Sequence, residues 1–134
     1  MEPNALDTMG ESLLSYSLLY QMFEESADAI IVSDGDHIIT ANREASLMFG
    51  YHLSELQGQS IDMLLPEARR AAHQRHRDAY LEHPRHRPMG VGLQLSGLHK
   101  KGHEFTIEID LNAFVEIAGV RIVVRIRRLG TRLS

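Results

Sequence analysis

Asp28-Ala-Ile-Ile-Val-Ser-Asp-Gly-Asp-His-Ile-Ile-Thr-Ala-Asn42, continued by Arg43-Glu-Ala-Ser-Leu-Met-Phe-Gly-Tyr51 and on to Gly58, decides the fold of this chain. β-branched residues (Ile30, Ile31 and Val32, then Ile38, Ile39 and Thr40) flank Asp34-Gly35-Asp36 on both sides, the pattern of two short strands joined by a tight turn. Glycine at position 35 supplies the positive φ that a primed or bulged hairpin turn requires. Asn42 then offers a side-chain oxygen to the free N–H groups of a following helix, Ala45, Met48 and Phe49 share one face of it, and Gly50 stops it. Ser54 and Gln57 have capping-box spacing for a second short helix, closed by Gly58.

Upstream, Thr8 and Glu11 have capping-box spacing, and Leu14, Leu18 and Met22 with Leu19 and Phe23 recur at helical spacing. Leu13, Tyr16 and Tyr20 widen that apolar surface beyond one docking face. Such a helix either packs across its own sheet or also meets a second copy of itself. Downstream, Ile61–Leu65 is a short apolar segment ending at Pro66, and a helix is expected from about Pro66 to Glu82. A loop through Pro84 and Pro88 leads to three antiparallel strands. Val91, Leu93 and Leu95 alternate in the first, and Lys100-Lys101-Gly102 turns the chain. In the second, Phe105, Ile107, Ile109 and Leu111 point inward and Glu104, Thr106, Glu108 and Asp110 outward. The third sets Ile122, Val124 and Ile126 against Arg121, Arg125 and Arg127. Acidic residues on one strand facing arginines on the next are read as cross-strand pairs on a solvated or partner-covered face, in preference to an anion-binding patch.

Composition narrows the class. The 134 residues, with no composition break, make one domain able to bury a real core. No window approaches a membrane span and the N-terminus lacks a secretion signal, so a soluble, cytoplasmic protein without membrane insertion is expected. A formal charge of −4 and a pI near 6.0 give no basic field, so direct binding of nucleic acid is not expected. The absence of cysteine excludes disulfides, Cys-based zinc sites and c-type haem. Gly-x-Ser-x-Gly, phosphate-cradling glycine loops and His-Glu-x-x-His are all missing, so catalysis within these residues is not expected.

In combination, Asp28-Ala-Ile, Asp34-Gly35, Ala41-Asn42, Phe49-Gly50-Tyr51, Leu56-Gln-Gly58, Leu65-Pro66-Glu67, Met89-Gly90 and Lys101-Gly102-His-Glu-Phe105 resemble the PAS family of sensory domains, over about Ala27 to Arg128. The resemblance implies an α+β PAS fold: a five-stranded antiparallel sheet of order 2-1-5-4-3 with helices on one face. It also implies a flanking helix at 1–26, the domain proper at 27–129 and a tail or linker at 130–134. PAS domains sense ligands, redox state or light in a cavity between helix and sheet, or serve as dimerisation modules, and pass the result to an output domain. The missing cysteine rules out the cysteinyl-flavin chemistry of the light-sensing branch. At the position of the Asp-Ile-Thr signature that often couples PAS domains to their outputs stand Arg128-Leu129-Gly130. By family analogy the output would be a bacterial kinase, as in two-component systems, or a second-messenger enzyme.

The helix after Pro66 sets which kind of sensor is expected. Haem PAS domains of oxygen-sensor kinases and oxygen-sensing phosphodiesterases carry their proximal histidine where His73 stands, and imidazole is a natural haem-iron ligand. The resemblance thus makes His73 the candidate iron ligand, with His76 weaker. The kinase-type distal arginine is replaced by Leu93 and the phosphodiesterase-type methionine by Val91, with Met89 on the other side of Gly90, so a haem would meet an apolar distal wall. Against this stands a plain alternative, His73 as a solvated residue on a helix rich in Arg69, Arg70, Arg75 and Arg77. A zinc or nickel site of His73 and His76 with His83 or His86 is a further reading. The expected cavity is lined by His73, His76, Tyr80, Met89, Val91, Leu93, Leu95, Ile107, Ile109 and Ile122. Two functions follow: a sensory domain holding a small ligand or haem, or a cofactor-free module that dimerises or docks a partner through residues 12–25 and the outer sheet face.

Overall fold

The carboxylate of Asp34 closes the first hairpin, its Oδ1 accepting the N–H groups of Asp36 and His37 at 2.9 and 2.8 Å. Those bonds favour the anion and hold the Asp34 carboxyl below its ordinary range. Gly35 takes the expected positive φ, +109°, so the turn demands glycine for conformation, and a Cβ there would push the end of the Leu81 side chain, 2.8 Å away, aside. In this computed structural model, residues 5–82 and 94–129 are described, with side chains from Ser15 to Glu82 and from Leu95 to Leu129. The hairpin pairs β1 (Ala29–Ser33) with β2 (Ile38–Ala41), with a register shift between Val32 and Ser33.

Ahead of the hairpin runs α1 (Ala5–Glu24), which places Thr8 inside the helix and not at its cap. After it come α2 (Arg43–Phe49), α3 (Leu53–Leu56), 3-10 turns at Ile61–Leu64 and Glu67–Arg69, and α4 (Arg70–Glu82). The second capping box is displaced from its expected place: His52, not Ser54, precedes α3, and its N–H donates to Glu55 Oε2 at 2.8 Å. The sheet is completed by β3 (Gln94–Leu98), β4 (Glu104–Glu116) and β5 (Gly119–Arg128), in the antiparallel order β2-β1-β5-β4-β3. Val91 and Leu93, assigned to the third strand, lie outside the described residues.

Alternation along β4 and β5 builds the inner face. Ile109 stands opposite Ile126 and Leu111 opposite Val124 in the register. Phe49 of α2 packs on Phe105 with ring centroids 5.3 Å apart, over Gly97, where a Cβ would meet both rings at about 3 Å. The outer face carries the expected ion pairs, Asp110 to Arg125 at 2.7 Å and Glu108 to Arg127, each pair directly opposed in the register. It is not simply solvated: Glu108 and Asp110 are buried, at 8% and 6% exposure, and the arginines screen them from water. Arg128 leans over the Phe105 ring at 4.5 Å.

Asn42 joins these parts. It is buried, and its Oδ1 accepts the N–H of Ile30 at 2.9 Å and of Ala45 at 3.0 Å. Its Nδ2 donates to the carbonyls of Phe23 at 2.9 Å and Asp28 at 3.0 Å. One amide thus caps α2, fixes the start of β1 and holds the last turn of α1. Among the described side chains of α1, Tyr16, Leu18, Leu19, Tyr20 and Met22 are exposed. Replacing Asn42 by Ala leaves four backbone groups without these partners, so Asn42→Ala is expected to lower the free energy of urea unfolding by on the order of 3 kcal/mol or more. Amide exchange in the last turn of α1 should rise in the same variant; an unchanged unfolding midpoint would contradict this account.

Candidate functional site

A helix normally docks through apolar residues, yet no residue of α4 is fully buried. Its sequence, Arg-Ala-Ala-His-Gln-Arg-His-Arg-Asp-Ala-Tyr-Leu-Glu, offers an inward stripe of His73, Arg77, Tyr80 and Leu81, and each of these is half-buried. Arg77 provides the anchor. Its Nη1 and Nη2 donate to the two carboxylate oxygens of Asp62 at 2.6 and 3.3 Å, and its Nε lies 3.5 Å from Asp36 Oδ1. Burial alone would weaken the guanidinium's hold on its proton, but the bond to Asp62 and the fields of Asp62, Asp36 and Asp78 raise it above its ordinary value. A two-pronged pair of this kind is stronger and more directional than an exposed one. With Leu81 set against Gly35, it clamps α4 to the hairpin turn and to the 3-10 turn at Ile61–Leu64.

Beneath α4 lies a cavity of about 120 Å³, mostly apolar in its walls. His73, His76, Tyr80, Leu95, Ile109 and Ile122, all expected from the sequence, line it together. A smaller cavity of about 50 Å³ adjoins it, lined by Ile107 among others and sharing His73, Leu95, Ile61, Ile109 and Val124 with the first. Met89, Val91 and Leu93 lie outside the described residues, as do His83 and His86. Sequence reading missed Ser33, Gly35, Ile61, Arg77, Leu111 and Val124. Leu111 and Val124 share the inward parity of their strands and were within reach of that signal. Arg77 follows His73 by one helical turn, but a basic helix gave no reason to turn it inward.

His73 is not a solvated surface residue. Its Nδ1 is buried and has no hydrogen-bond partner among the described residues. Burial pushes its imidazolium pKa below 6.5, the charge of Arg77 pushes the same way with a small part from His76, and Asp62 opposes them. The ring is therefore neutral at pH 7. His76, though it touches the cavity, is exposed. Among the described residues no three metal-ligating side chains converge, so the zinc or nickel reading finds no third ligand there.

As a haem site the residues fit in donor chemistry and not in space. A neutral imidazole is what an axial ligand needs. A macrocycle of four pyrrole rings is several times the size of benzene, however, and a cavity of about 120 Å³ is close to the ~150 Å³ that benzene occupies in an engineered protein.

A five-stranded antiparallel sheet of order β2-β1-β5-β4-β3 with helices packed over its inner face defines the class of fold. The family model described as the PAS fold matches residues 17–129, and the chain belongs to that family. Its members are typically sensory modules of signal transduction and not enzymes. A solved PAS domain of an HTR-like protein from Haloarcula marismortui superposes with a TM-score of 0.73 at 21% identity, covering 92% of this chain and 98% of that one. Another, the PAS domain of a LuxR-family transcriptional regulator from Burkholderia thailandensis in complex with ethanol, gives 0.64 at 17% identity, covering 82% and 96%. Among curated sequences, the "Probable serine/threonine-protein kinase" of Dictyostelium discoideum is 26% identical over 92 residues, 69% of this chain. The chain spans only 6% of that relative's length. No helix among the described residues is long and apolar enough to cross a membrane.

The neutral state of His73 makes a pH prediction. Because its folded pKa lies below the unfolded value, the unfolded chain takes up the proton more readily, and the stability contributed at neutral pH is lost as the pH falls below 6.5. The His73 ring, followed by NMR, is expected to titrate below 6.5. In Arg77→Met its titration should move upward, since a repelling charge is gone and Asp62 is left unpaired. An unmoved His73 titration in that variant would show that the clamp does not set its charge.

Proposed function

We propose that this domain is a sensor of a small molecule held between α4 and the sheet, and that occupancy of the cavity by that molecule is the signal. The observation that carries this reading is a mostly apolar cavity beneath a helix held chiefly by a charge pair. The lid is fastened by Arg77 to Asp62 and by Leu81 on Gly35, so its position responds to what lies beneath it. The site favours a compact ligand over haem, as its size argues. A relative of the same fold is described with ethanol bound, a guest of this order of size. The relay proposed runs from the sheet through Asn42 to Phe23 of α1, since one amide touches both.

Toluene is a suitable apolar probe. It is expected to raise the melting temperature of the chain in a saturable manner and to slow amide exchange in α4. In Leu95→Phe, whose larger ring fills space shared by both cavities, that stabilisation should vanish. Toluene without effect on the unaltered chain, or with equal effect on Leu95→Phe, would refute a guest in this cavity.

A second role, homodimerisation, is favoured by a separate observation. Tyr16, Leu18, Leu19, Tyr20 and Met22 of α1 are each more than half exposed, and Phe114, at 52% exposure, extends an outer-face patch with Val123 and Val32. A helix and a sheet face that both leave apolar surface uncovered suit a pair of copies in which each helix covers its partner's sheet. Sedimentation equilibrium is expected to show a dimer, and Leu18→Glu with Leu19→Glu should shift it to monomer; a monomeric unaltered chain would remove this role.

A further inference from the structure

We infer that the two cavities beneath α4 form one elongated site, and that its ligand is an unbranched aliphatic molecule with a polar group at one end, its apolar end lying in the smaller cavity. The inference rests on the reading of the cavity as a ligand site and names the shape and class of the ligand.

The register of the sheet relates the two cavities to each other. On β4 the larger is lined by Leu111 and Ile109, the smaller by Ile109 and Ile107. On β5 the same step runs from Ile122 and Val124 to Val124 and Ile126, and on β1 from Ser33 to Ile31. Ser33 pairs with Ile122 and Ile31 with Val124, while Leu111 pairs with Val124 and Ile109 with Ile126, so all three steps point the same way along the sheet. Each is a step of two residues, the spacing of successive inward side chains, or about 6.7 Å. The floor from Leu111 to Ile107 is therefore about 13 Å long.

A site that is long for its volume takes a chain in preference to a ring. The larger cavity, at about 120 Å³, is already close to the ~150 Å³ that benzene occupies in an engineered protein, so a ring fills it and stops there. Ile61, His73, Leu95, Ile109 and Val124 border both cavities and form a waist between them. A methylene chain is thin enough to cross such a waist and enter the further space of about 50 Å³.

Polarity changes along the same axis. The larger cavity borders Ser33, His76, Arg77 and Tyr80, and His76 is exposed, so this end meets polar groups and water. Among the described residues His73 is the one polar side chain at the smaller cavity, whose far walls are Ile31, Phe49, Ile107 and Ile126. A polar group sent to that end would lose its water for hydrocarbon, whereas a methyl group gains by the same move. The polar end of the guest therefore stays beside Ser33 and Tyr80. Each methylene buried along the axis tightens binding about fourfold.

Straight 1-alkanols from ethanol to 1-hexanol, with cyclohexanol as the ring of the same carbon number, test this when titrated into the full chain and followed by backbone amide shifts in NMR. Affinity is expected to rise about fourfold per methylene up to 1-hexanol. Ile107 lines the smaller cavity alone, so Ile107→Phe fills that space and should cut the preference for 1-hexanol over cyclohexanol about tenfold, while ethanol and toluene bind as before. 1-Hexanol binding no more tightly than 1-butanol, or keeping its full preference over cyclohexanol in Ile107→Phe, overturns the elongated site and leaves the larger cavity a ligand site. Toluene binding with no alcohol binding overturns the class of ligand in the same way. Neither the alcohols nor toluene binding refutes the ligand site itself. Should Ile107→Phe fail to fold, nuclear Overhauser contacts in the unaltered chain decide: the terminal methyl of bound 1-hexanol is expected against Phe49 and Ile126 and its first methylene against Leu111 and Ile122. The methyl against Leu111 and Ile122 in their place overturns the inference.

Discussion

The amide of Asn42 is the constraint on which the arrangement of the other elements depends. A side chain with one oxygen and one NH₂ group makes four bonds here, and its partners come from four segments: the end of α1, the turn before β1, β1 itself and the first turn of α2. In a buried place each of those backbone groups would be costly if left alone, so their common partner fixes the distances between segments that are far apart in sequence. The hairpin then lies where its inner residues, Ile31 and Ala29, meet α2 and β5, and the central strands assemble on either side. An aspartate of nearly the same shape would lack the two donors and place a carboxylate beside two carbonyls.

Those parts of the fold were legible whose local chemistry and tertiary setting agree. Asp34-Gly35 makes its turn through bonds within three residues of itself, and Asn42 and Gly50 bracket α2 as their side chain and φ require. The inward parity of β4 survives because Ile109 and Leu111 face apolar partners on β5, Ile126 and Val124. Where the sequence misled, competition between equivalent local solutions is the reason. His52 and Ser54 each stand three residues before a residue that could close a box, Glu55 and Gln57, and the structure starts α3 after His52. Glu108 and Asp110 were readable as outward and paired, but their burial depends on how the long side chains of Arg127 and Arg125 lie across them, which alternation does not encode.

The cavity was legible on its sheet side and obscure on its helix side for the same kind of reason. Strand alternation announces Ile109 and Ile122 as inward whatever covers them. In α4, histidines and arginines occupy every face, and hydropathy gives no orientation. The direction comes from Asp62 and Asp36, two carboxylates on other elements that draw one arginine inward and carry His73 and Tyr80 with it. A site positioned by an ion pair instead of by apolar burial hides from periodicity, although its consequence, an imidazole held neutral beside a guanidinium, is among the more distinctive features of the molecule.

The docking of α4 through a charge clamp also decides how the cavity exchanges its contents with solvent. Lifting α4 uncovers the half-buried Tyr80 and Leu81 and a cavity wall that includes Leu95, Ile109 and Ile122, a part of the apolar surface that global unfolding exposes, so the opening has a smaller denaturant slope and a smaller heat-capacity change than global unfolding. What it does break is a pair of charges that water and dissolved ions screen once they reach it. Ionic strength therefore weighs on the opening more than on global unfolding. The helix can lift without drawing on the stability of the sheet.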